Sequence, residues 1–288
     1  MTGPFKSVAI IGTGLIGSSV ARAVRQALPD VHLRAYDSDH EVARRAEHLG
    51  LADLVVAEPG LAVSEAELVI LCVPVGAMGQ VAAAIAPSLH PETVVSDVGS
   101  SKVAVALALR AALPLARIIP AHPVAGTENS GPDAGYASLF EGKWCILTPD
   151  DDSCPGDVDK LSKFWTKLGA KVELMSAAQH DMVLAATSHL PHLIAFAMVS
   201  TASDLERVTQ SDVIKYSAGG FRDFTRLAAS DPTMWRDVFL TNKDPMLEIL
   251  TRFTDDLAKL REAVEREDGA TLFDLFTRAS TIRRGIVE

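Results

Sequence analysis

Short apolar runs alternate with segments of helical periodicity through the first part of the chain. Continuous apolar runs are typical of parallel strands, because both faces of such a sheet are covered. Strands are predicted over 8–11, 32–37, 68–73, 93–97, 117–121, 143–148 and 171–174. Helices are predicted over 16–28, 39–49, 78–86, 102–113 and 157–168, with a polar loop at 150–159. This alternation predicts an α/β fold with a doubly wound parallel sheet.

The pattern changes after Met175. Helical periodicity dominates the remainder, over 179–206, 211–217, 231–241, 243–266 and 268–284, with no strand-like run. We therefore predict a first domain at 1–176 and an all-helical second domain at 177–288. Fold-level analogy suggests that such a helical domain closes over the ligand and carries a homodimer contact.

A glycine motif follows the first predicted strand, and it changes the picture from fold to ligand. Residues 12–17 read GTGLIG, between the strand at 8–11 and the helix at 16–28. Gly12 allows the tight turn, Gly14 lets a pyrophosphate approach the backbone, and Gly17 lets helix and strand pack closely. Leu15 and Ile16 open the helix, whose N-terminal N–H groups attract phosphate. The motif predicts a Rossmann-type dinucleotide-binding domain.

The position of an acidic residue favours NAD as the dinucleotide. Asp37 ends the second predicted strand, 20 residues beyond Gly17, where a carboxylate contacts the ribose hydroxyls and repels a 2′-phosphate. Arg34, Arg44 and Arg45 do not lie close enough to Asp37 in the sequence to neutralise such a phosphate. Val73 and Pro74 end the third predicted strand at the same edge of the sheet and are assigned to the cofactor site.

Composition excludes several classes of function. The 288 residues carry a net charge of −10, which argues against nucleic acid as a partner. Three scattered cysteines are too few for a disulfide framework or a zinc site, and no metal is expected. No signal peptide is apparent, and the most apolar stretch, 193–199, is too short to span a membrane. We expect a cytoplasmic protein.

Two segments follow strands at the edge where open α/β sheets bind ligands. Residues 97–102 (DVGSSK) follow the fourth predicted strand, and His122 directly follows the fifth. A histidine beside a nicotinamide can accept a proton from a substrate hydroxyl while hydride leaves the same carbon. The alternative for His122 is a buried or capping histidine. Lys102, at a helix start, is interpreted as a solvated residue.

The motifs resemble those of the prephenate dehydrogenase family. The stretch 122–131 (HPVAGTENSG) resembles that family's catalytic-histidine signature, and 97–100 (DVGS) matches its loop after the fourth strand. Further resemblances are 188–192 (SHLPH), 219–226 (GGFRDFTR) and 231–237 (DPTMWRD). Ser101 departs from the family, which often has an apolar residue there. The resemblance covers nearly the whole chain.

The resemblance implies oxidative decarboxylation of prephenate to 4-hydroxyphenylpyruvate in tyrosine biosynthesis, with hydride passing to NAD. It implies that His122 accepts the proton of the ring hydroxyl and that Ser100 holds this hydroxyl or orients His122. It further implies that Arg226 binds a substrate carboxylate, that Thr127 and Glu128 line the pocket, and that His189 faces the site. Any inhibition by tyrosine would act at the active site.

Several of these residues have structural alternatives. His189 and His192 flank Pro191 and could be packing residues of a kinked helix; a metal pair there lacks a third ligand at matching spacing. Arg226 could form a structural salt bridge with Asp223 or Asp231. Trp235 is interpreted as core or interdomain packing.

Other activities also stay open. An arogenate or dual-specificity cyclohexadienyl dehydrogenase would have the same motifs. A β-hydroxyacid dehydrogenase shares the two-domain plan but uses a lysine on the helical domain and lacks the 122–131 motif. A non-catalytic NAD-binding regulator would have lost residues of the site, whereas Ser100, His122, His189 and Arg226 are present.

Overall fold

A computed structural model describes residues 3–209, 215 and 218–286. Its strands are β1 (Ser7–Ile11), β2 (His32–Tyr36), β3 (Leu54–Val55), β4 (Leu68–Leu71), β5 (Val94–Asp97), β6 (Arg117–Ile118), β7 (Ala121–Pro123), β8 (Trp144–Leu147) and β9 (Lys171–Leu174). Its α-helices are α1 (Leu15–Ala27), α2 (His40–His48), α3 (Pro59–Val63), α4 (Met78–Ile85), α5 (Lys102–Ala112), α6 (Pro155–Lys167), α7 (Ala177–Leu184), α8 (Leu190–Thr209), α9 (Gly219–Thr225), α10 (Pro232–Thr241), α11 (Lys243–Glu265) and α12 (Gly269–Ile286).

The first six strands form one parallel sheet in the order β3-β2-β1-β4-β5-β6. Alternate residues of its strands enter two different cores. Val8 and Ile10 of β1 pack with α1 and α6 on one face, whereas Ala9 and Ile11 pack with α3, α4 and α5 on the other. Because both faces are covered by helices, the central strands β1 and β4 are almost entirely buried and mainly apolar. The predicted doubly wound sheet is confirmed.

The predicted fifth strand is wrong in one respect that matters for the site. It divides at Pro120 into β6 and β7, and β7 leaves the parallel sheet. Proline has no N–H to continue a ladder, so the pairing with β5 ends after Ile118. His122 therefore lies within β7, opposite Ile146 of β8, rather than after a strand of the main sheet. The strands β7, β8 and β9 form a separate three-stranded sheet.

Local capping explains where several helices begin. Asp39 caps α2 through the backbone N–H groups of Glu41 and Val42, and Asp231 caps α10 through that of Met234. Helix α6 begins at Pro155, earlier than predicted, because proline is favoured at the first helical position. The short elements β3, α3 and α9 were not predicted. The predicted segment 211–217 lies, except for residue 215, outside the described residues.

The helical domain begins with a long interrupted helix. Helix α7 passes through a π-helical turn, Ala185–His189, directly into α8. Pro191 follows this turn, and the wider turn accommodates a residue that cannot donate a backbone hydrogen bond. The continuous run Ala177–Val208 is long and apolar enough to cross a membrane by length and composition alone, which the prediction from 193–199 overlooked. Its first half instead packs against the sheet domain, with α7 contacting α5.

Candidate active site

The glycine turn after β1 has the shape that a dinucleotide requires. Gly12 has a φ of +95°, and a Cβ there would lie 2.5 Å from the carbonyl oxygen of Cys72. A Cβ on Gly17 would lie 1.9 Å from the carbonyl oxygen of Gly12. A Cβ on Gly14, in contrast, would meet no atom within 4 Å. Two glycines therefore close the turn, and the third leaves open space beside the backbone.

Helix α1 presents its N-terminus to this open space. It begins at Leu15, followed by Ile16, and no side chain caps its first turn. The first N–H groups of an α-helix have no partner within the helix, so they and the positive end of the helix dipole favour an anion. Val73, beyond β4, packs beside Gly12, and Pro74 continues the same edge. The predicted cofactor residues thus lie together at the carboxyl ends of β1 and β4.

Asp37 completes this edge beyond β2. Its carboxylate accepts hydrogen bonds from the backbone N–H of Thr13 at 2.7 Å and from the Thr13 hydroxyl at 3.1 Å. The backbone N–H of Asp39 donates to its other oxygen at 3.0 Å. The carboxylate is therefore fixed against the glycine turn. Each oxygen accepts only one or two hydrogen bonds, which leaves capacity for ribose hydroxyls.

The arginines near β2 are all engaged with acidic side chains. Arg34 pairs with Glu65, and Arg44 pairs with Glu41. The Nε of Arg45 lies 2.9 and 3.0 Å from the two carboxylate oxygens of Asp133. This last pair also ties α2 to the loop that follows His122.

His122 is buried, with 8% of its surface exposed, at the junction between the two sheets and the helical domain. Its Nδ1 lies 2.8 Å from Nε2 of His180, and the two rings meet edge to face. Desolvation is the main cause that lowers the pKa of His122 well below 6.5, and the positive charge of Lys102 and the neighbouring imidazoles of His180 and His189 lower it further. His122 is therefore neutral at neutral pH and can accept a proton.

His180 and Asp181, on α7, were not identified from the sequence. Nδ1 of His180 lies 2.8 Å from Oδ1 of Asp181. The same carboxylate accepts hydrogen bonds from the backbone N–H groups of Lys102 at 2.6 Å and Val103 at 2.9 Å, at the start of α5. Asp181 thus caps a helix of the nucleotide-binding domain from the helical domain. The adjacent letters HD at the start of a predicted helix were the only local signal.

The interpretation of Lys102 as a solvated residue is wrong. Its side chain is fully buried and forms an ion pair with the equally buried Asp97. Its Nζ also donates to the carbonyl oxygen of Ala121 at 2.6 Å, and the other oxygen of Asp97 accepts from the Ala121 N–H at 3.2 Å. The pair therefore holds β7 beside β5 and fixes the residue next to His122. Desolvation lowers the pKa of Lys102, although Asp97 opposes this.

The two serines between β5 and α5 are placed differently. Ser100 is half-buried, and its hydroxyl forms no hydrogen bond with the described residues. Ser101 is fully buried, and its hydroxyl oxygen lies 3.0 Å from that of Thr241 of α10, within hydrogen-bonding distance. Ser100 is thus available to a ligand, whereas Ser101 links the two domains.

His189 is fully buried at the end of the π-helical turn. The side-chain amide of Asn242 donates to the carbonyl oxygen of Asp181 at 2.9 Å, which fixes its orientation, and its nitrogen lies 3.0 Å from Nδ1 of His189. Nδ1 of His189 therefore accepts and Nε2 carries the proton; this Nε2 forms no well-formed hydrogen bond among the described residues, although the Ser100 backbone is close enough to raise the pKa of His189. Desolvation is the main cause that lowers the pKa of His189 to about 4, and the neighbouring imidazole of His180 lowers it further.

His192 and Trp235 pack against each other. Their rings stack with centroids 3.7 Å apart, and Trp235 also meets His189 edge to face at 6.0 Å. Trp235 is buried, in keeping with its predicted packing role. His192 is thus a packing residue, whereas His189 combines packing with a buried N–H donor.

The structure brings Arg226, Glu128 and Thr127 to the outer side of the site. Nη1 of Arg226 lies 3.1 Å from Oε2 of Glu128, and 60% of the arginine side chain is exposed. The suggested partners Asp223 and Asp231 are therefore wrong. Thr127 lies on the same exposed loop and accepts a hydrogen bond from the backbone N–H of Asn129. Desolvation lowers the pKa of His192, and the hydrogen bond with the Ser188 carbonyl opposes this. The charge of Arg226 makes a smaller contribution in the same direction as desolvation.

Two solved structures resemble the chain over nearly its whole length. Prephenate dehydrogenase from Aquifex aeolicus, solved with hydroxyphenyl propionate and NAD+, has a TM-score of 0.92 and 33% identity, covering 98% of each chain. Arogenate dehydrogenase from Synechocystis has a TM-score of 0.81 and 25% identity, covering 96% of this chain and 98% of that chain.

Sequence comparisons give the same grouping. Cyclohexadienyl dehydrogenase from Zymomonas mobilis is 47% identical over 279 residues, which are 97% of this chain and 95% of that protein. The family model "Prephenate dehydrogenase, nucleotide-binding domain" matches residues 20–174, and "Prephenate dehydrogenase, dimerization domain" matches residues 176–278. Together these two models match most of the chain, and the boundary between them falls between β9 and α7. The chain is an oxidoreductase that belongs to the prephenate dehydrogenase family.

Proposed function

We propose that this protein catalyses the NAD-dependent oxidative decarboxylation of prephenate to 4-hydroxyphenylpyruvate in tyrosine biosynthesis. The observation that carries the proposal is His122, a buried and neutral histidine beside the carboxyl edge of a dinucleotide-binding sheet. A basic side chain, Arg226, lies on the outer side of the same site, where an anionic substrate would enter.

The residues at the glycine turn fit NAD. Gly14 and the start of α1 would hold the pyrophosphate, and Asp37 would bind the ribose hydroxyls. A 2′-phosphate would meet the Asp37 carboxylate, while Arg34, Arg44 and Arg45 are already paired. We therefore propose a preference for NAD over NADP. When bound, NAD supplies the acceptor for the hydride.

The side chains of the site would transfer the proton and bind the substrate. Nε2 of His122 would accept the proton of the ring hydroxyl as the carbon bearing it loses hydride and becomes a carbonyl carbon. The bond to the ring carboxylate then breaks and releases CO₂, its electron pair enters the ring, and the proton returns from His122 to the same oxygen. The Ser100 hydroxyl would hold this oxygen. Nε2–H of His189 would donate to the substrate, and Arg226 would bind a carboxylate, with Thr127 and Glu128 at the pocket wall.

A second candidate is arogenate, or both substrates together. The 47% identity to a cyclohexadienyl dehydrogenase and the likeness to an arogenate dehydrogenase favour this alternative. NADH formation measured with prephenate, with arogenate and with 3-hydroxy acids tests the proposal. Turnover of 3-hydroxy acids alone would indicate a β-hydroxyacid dehydrogenase, and no turnover would indicate a non-catalytic regulator. Added tyrosine should compete with the substrate if it inhibits at the active site.

We also propose a cytoplasmic homodimer with domains at 1–176 and 177–288. The domain bounds are supported by β9, which ends at Leu174, and α7, which begins at Ala177. The dimer is supported by the dimerization-domain match and by an apolar groove of about 490 Å³ between α8 and α11, lined by residues such as Leu193, Met198 and Phe253. Sedimentation equilibrium of the full chain tests the dimer, and a monomer at micromolar concentration would contradict it.

A further inference from the structure

We propose that His180 and Asp181 are positioning residues that hold His122 in the tautomer protonated at Nδ1, so that its Nε2 is free to accept a proton. The proposal rests on the role proposed above for His122. It is carried by a buried chain of hydrogen bonds from His122 through His180 to Asp181, in which both links measure 2.8 Å.

The direction of donation along these hydrogen bonds is set by Asp181, because its side chain is an anion. Burial opposes ionisation of Asp181, but hydrogen bonds from His180 and from the N–H groups of Lys102 and Val103 outweigh it and lower the pKa of Asp181. The two N–H groups belong to the start of α5, where the helix dipole also favours a negative charge. An ionised carboxylate only accepts hydrogen bonds, so Nδ1 of His180 must donate to it.

The protonation state of His180 determines the direction of its hydrogen bond with His122. Desolvation lowers the pKa of His180, so its imidazole is neutral at neutral pH and carries one proton. That proton is on Nδ1, which leaves Nε2 of His180 as an acceptor. Nδ1 of His122, 2.8 Å away, must then donate to it. The remaining nitrogen of His122, Nε2, carries no proton and is the basic atom of the site.

This arrangement matters because the opposite tautomer of His122 would present an N–H to the substrate hydroxyl and could not act as a base. When His122 accepts a proton it becomes a cation in a buried site, and the chain connects that charge to the Asp181 carboxylate. Lys102 and Asp97, which also lie close to His122, form an ion pair with no net charge. Asp181 is thus the carboxylate left to balance the new charge.

Two substitutions at one position separate this role from a structural one. His180→Leu removes the acceptor for the Nδ1–H of His122, whereas His180→Gln can restore one with its side-chain carbonyl. We expect His180→Leu to lower kcat about 10²–10³-fold at neutral pH, with the KM for prephenate changed by less than about threefold. We expect the kcat of His180→Gln to be at least about tenfold higher than that of His180→Leu. Ser176→Ala is the matched control, because it removes the N-cap of the same helix and leaves His180 and Asp181 unchanged.

The tautomer can be read directly, without substrate. Two-bond ¹H–¹⁵N correlations of ¹⁵N-histidine-labelled full-length protein, with His122 identified from His122→Asn, should show the proton on Nδ1. In His180→Leu the signal should shift towards the Nε2–H form. A wild-type Nε2–H tautomer would overturn the proposal, as would equal losses of kcat in His180→Leu, His180→Gln and Ser176→Ala. Failure of the wild type to oxidise prephenate or arogenate would overturn the proposed function, while the spectrum would still decide the tautomer.

Discussion

Arg226 and Glu128, both assigned to the substrate pocket, pair with each other at 3.1 Å across 98 positions of the chain. Their side chains are 60% and 38% exposed, so the pair itself contributes only about 0–1 kcal/mol to stability. A substrate carboxylate can therefore replace Glu128 as the partner of Arg226 at little cost.

Replacing Arg226 with alanine should weaken substrate binding while leaving the fold intact. The lost charge-assisted hydrogen bonds are worth about 1.5–3 kcal/mol, which corresponds to a rise in the KM for prephenate of roughly 10- to 150-fold. This range is lower than that for a buried ion pair, because Arg226 is exposed in the free chain. Arg110→Ala is the control, because Arg110 pairs with Asp150 and Asp152 near the C-terminal end of α5, and this substitution should not raise KM. An unchanged KM in Arg226→Ala with a lowered melting temperature would indicate a structural salt bridge instead.

Replacing His122 with asparagine should remove the base but retain the cofactor site. We expect kcat to fall by roughly 10²–10⁴-fold, the usual contribution of a general base. The Kd for NAD, measured by fluorescence titration, should change little, because Gly14 and Asp37 belong to other segments of the chain. A variant that keeps more than about a tenth of wild-type turnover would exclude His122 as the base.

The buried histidines should make the protein less stable in acid. The pKa of His189 is lowered from 6.5 to about 4 in the folded state, so the unfolded chain takes up this proton first as the pH falls. The stability is therefore fully present above about pH 6.5 and is lost down to about pH 4, by an amount of about 3 kcal/mol. The free energy of unfolding, measured with urea at several pH values, should fall less between pH 6.5 and pH 4 in His189→Gln than in the wild type. The same pH dependence in both proteins would mean that folding does not lower the pKa of His189.

Cofactor choice should depend on Asp37 and on the pairing of Arg45. The wild type should give a higher kcat/KM with NAD than with NADP, and Asp37→Ser should shift this ratio towards NADP. Asp37→Ser should also raise the KM for NAD, because the carboxylate holds the Thr13 backbone. Adding Asp133→Asn, which releases Arg45, should move the ratio further. Equal use of both cofactors by the wild type would contradict the assignment.

The buried Lys102 should be indispensable to stability. Lys102→Met leaves the carboxylate of Asp97 buried without its cation, which typically costs about 3–5 kcal/mol. Lys163→Met is the control: Lys163 pairs with Asp159 on the surface of α6, and its loss should change the free energy of unfolding by less than about 1 kcal/mol. Similar values for the two variants would show that the buried pair is readily replaced.

The features that sequence reasoning predicted well are those written in local patterns. Continuous apolar runs located β1 and β4, and the glycine spacing located the turn at Gly12 and Gly14. The switch of sheets at Pro120 also has a local signal, since proline cannot continue a ladder, but the apolar residues Ile118, Ile119 and Ala121 on both sides of it suggested one strand.

The features that were missed depend on contacts between distant parts of the chain. Asn242 fixes the tautomer of His189 across 53 positions, and no spacing rule connects an asparagine between two helices to such a role. Lys102 was mistaken because lysine at a helix start is usually solvated. Its partner could have been found, since Asp97 ends a fully buried strand, where an acid requires a cation or several donors.

The π-helical turn at Ala185–His189 also sets the relative rotation of the two halves of one long helix. An α-helix advances about 100° per residue, so deleting a single residue from this turn would rotate all of α8 by about that angle relative to α7. His189 would turn away from Asn242, while His180 and Asp181 kept their places against α5. His122 would keep its contact with His180, whereas Nε2 of His189 would no longer lie on the same side of α8. One-residue length changes in this turn are thus expected to abolish activity in a chain that still folds and still binds NAD.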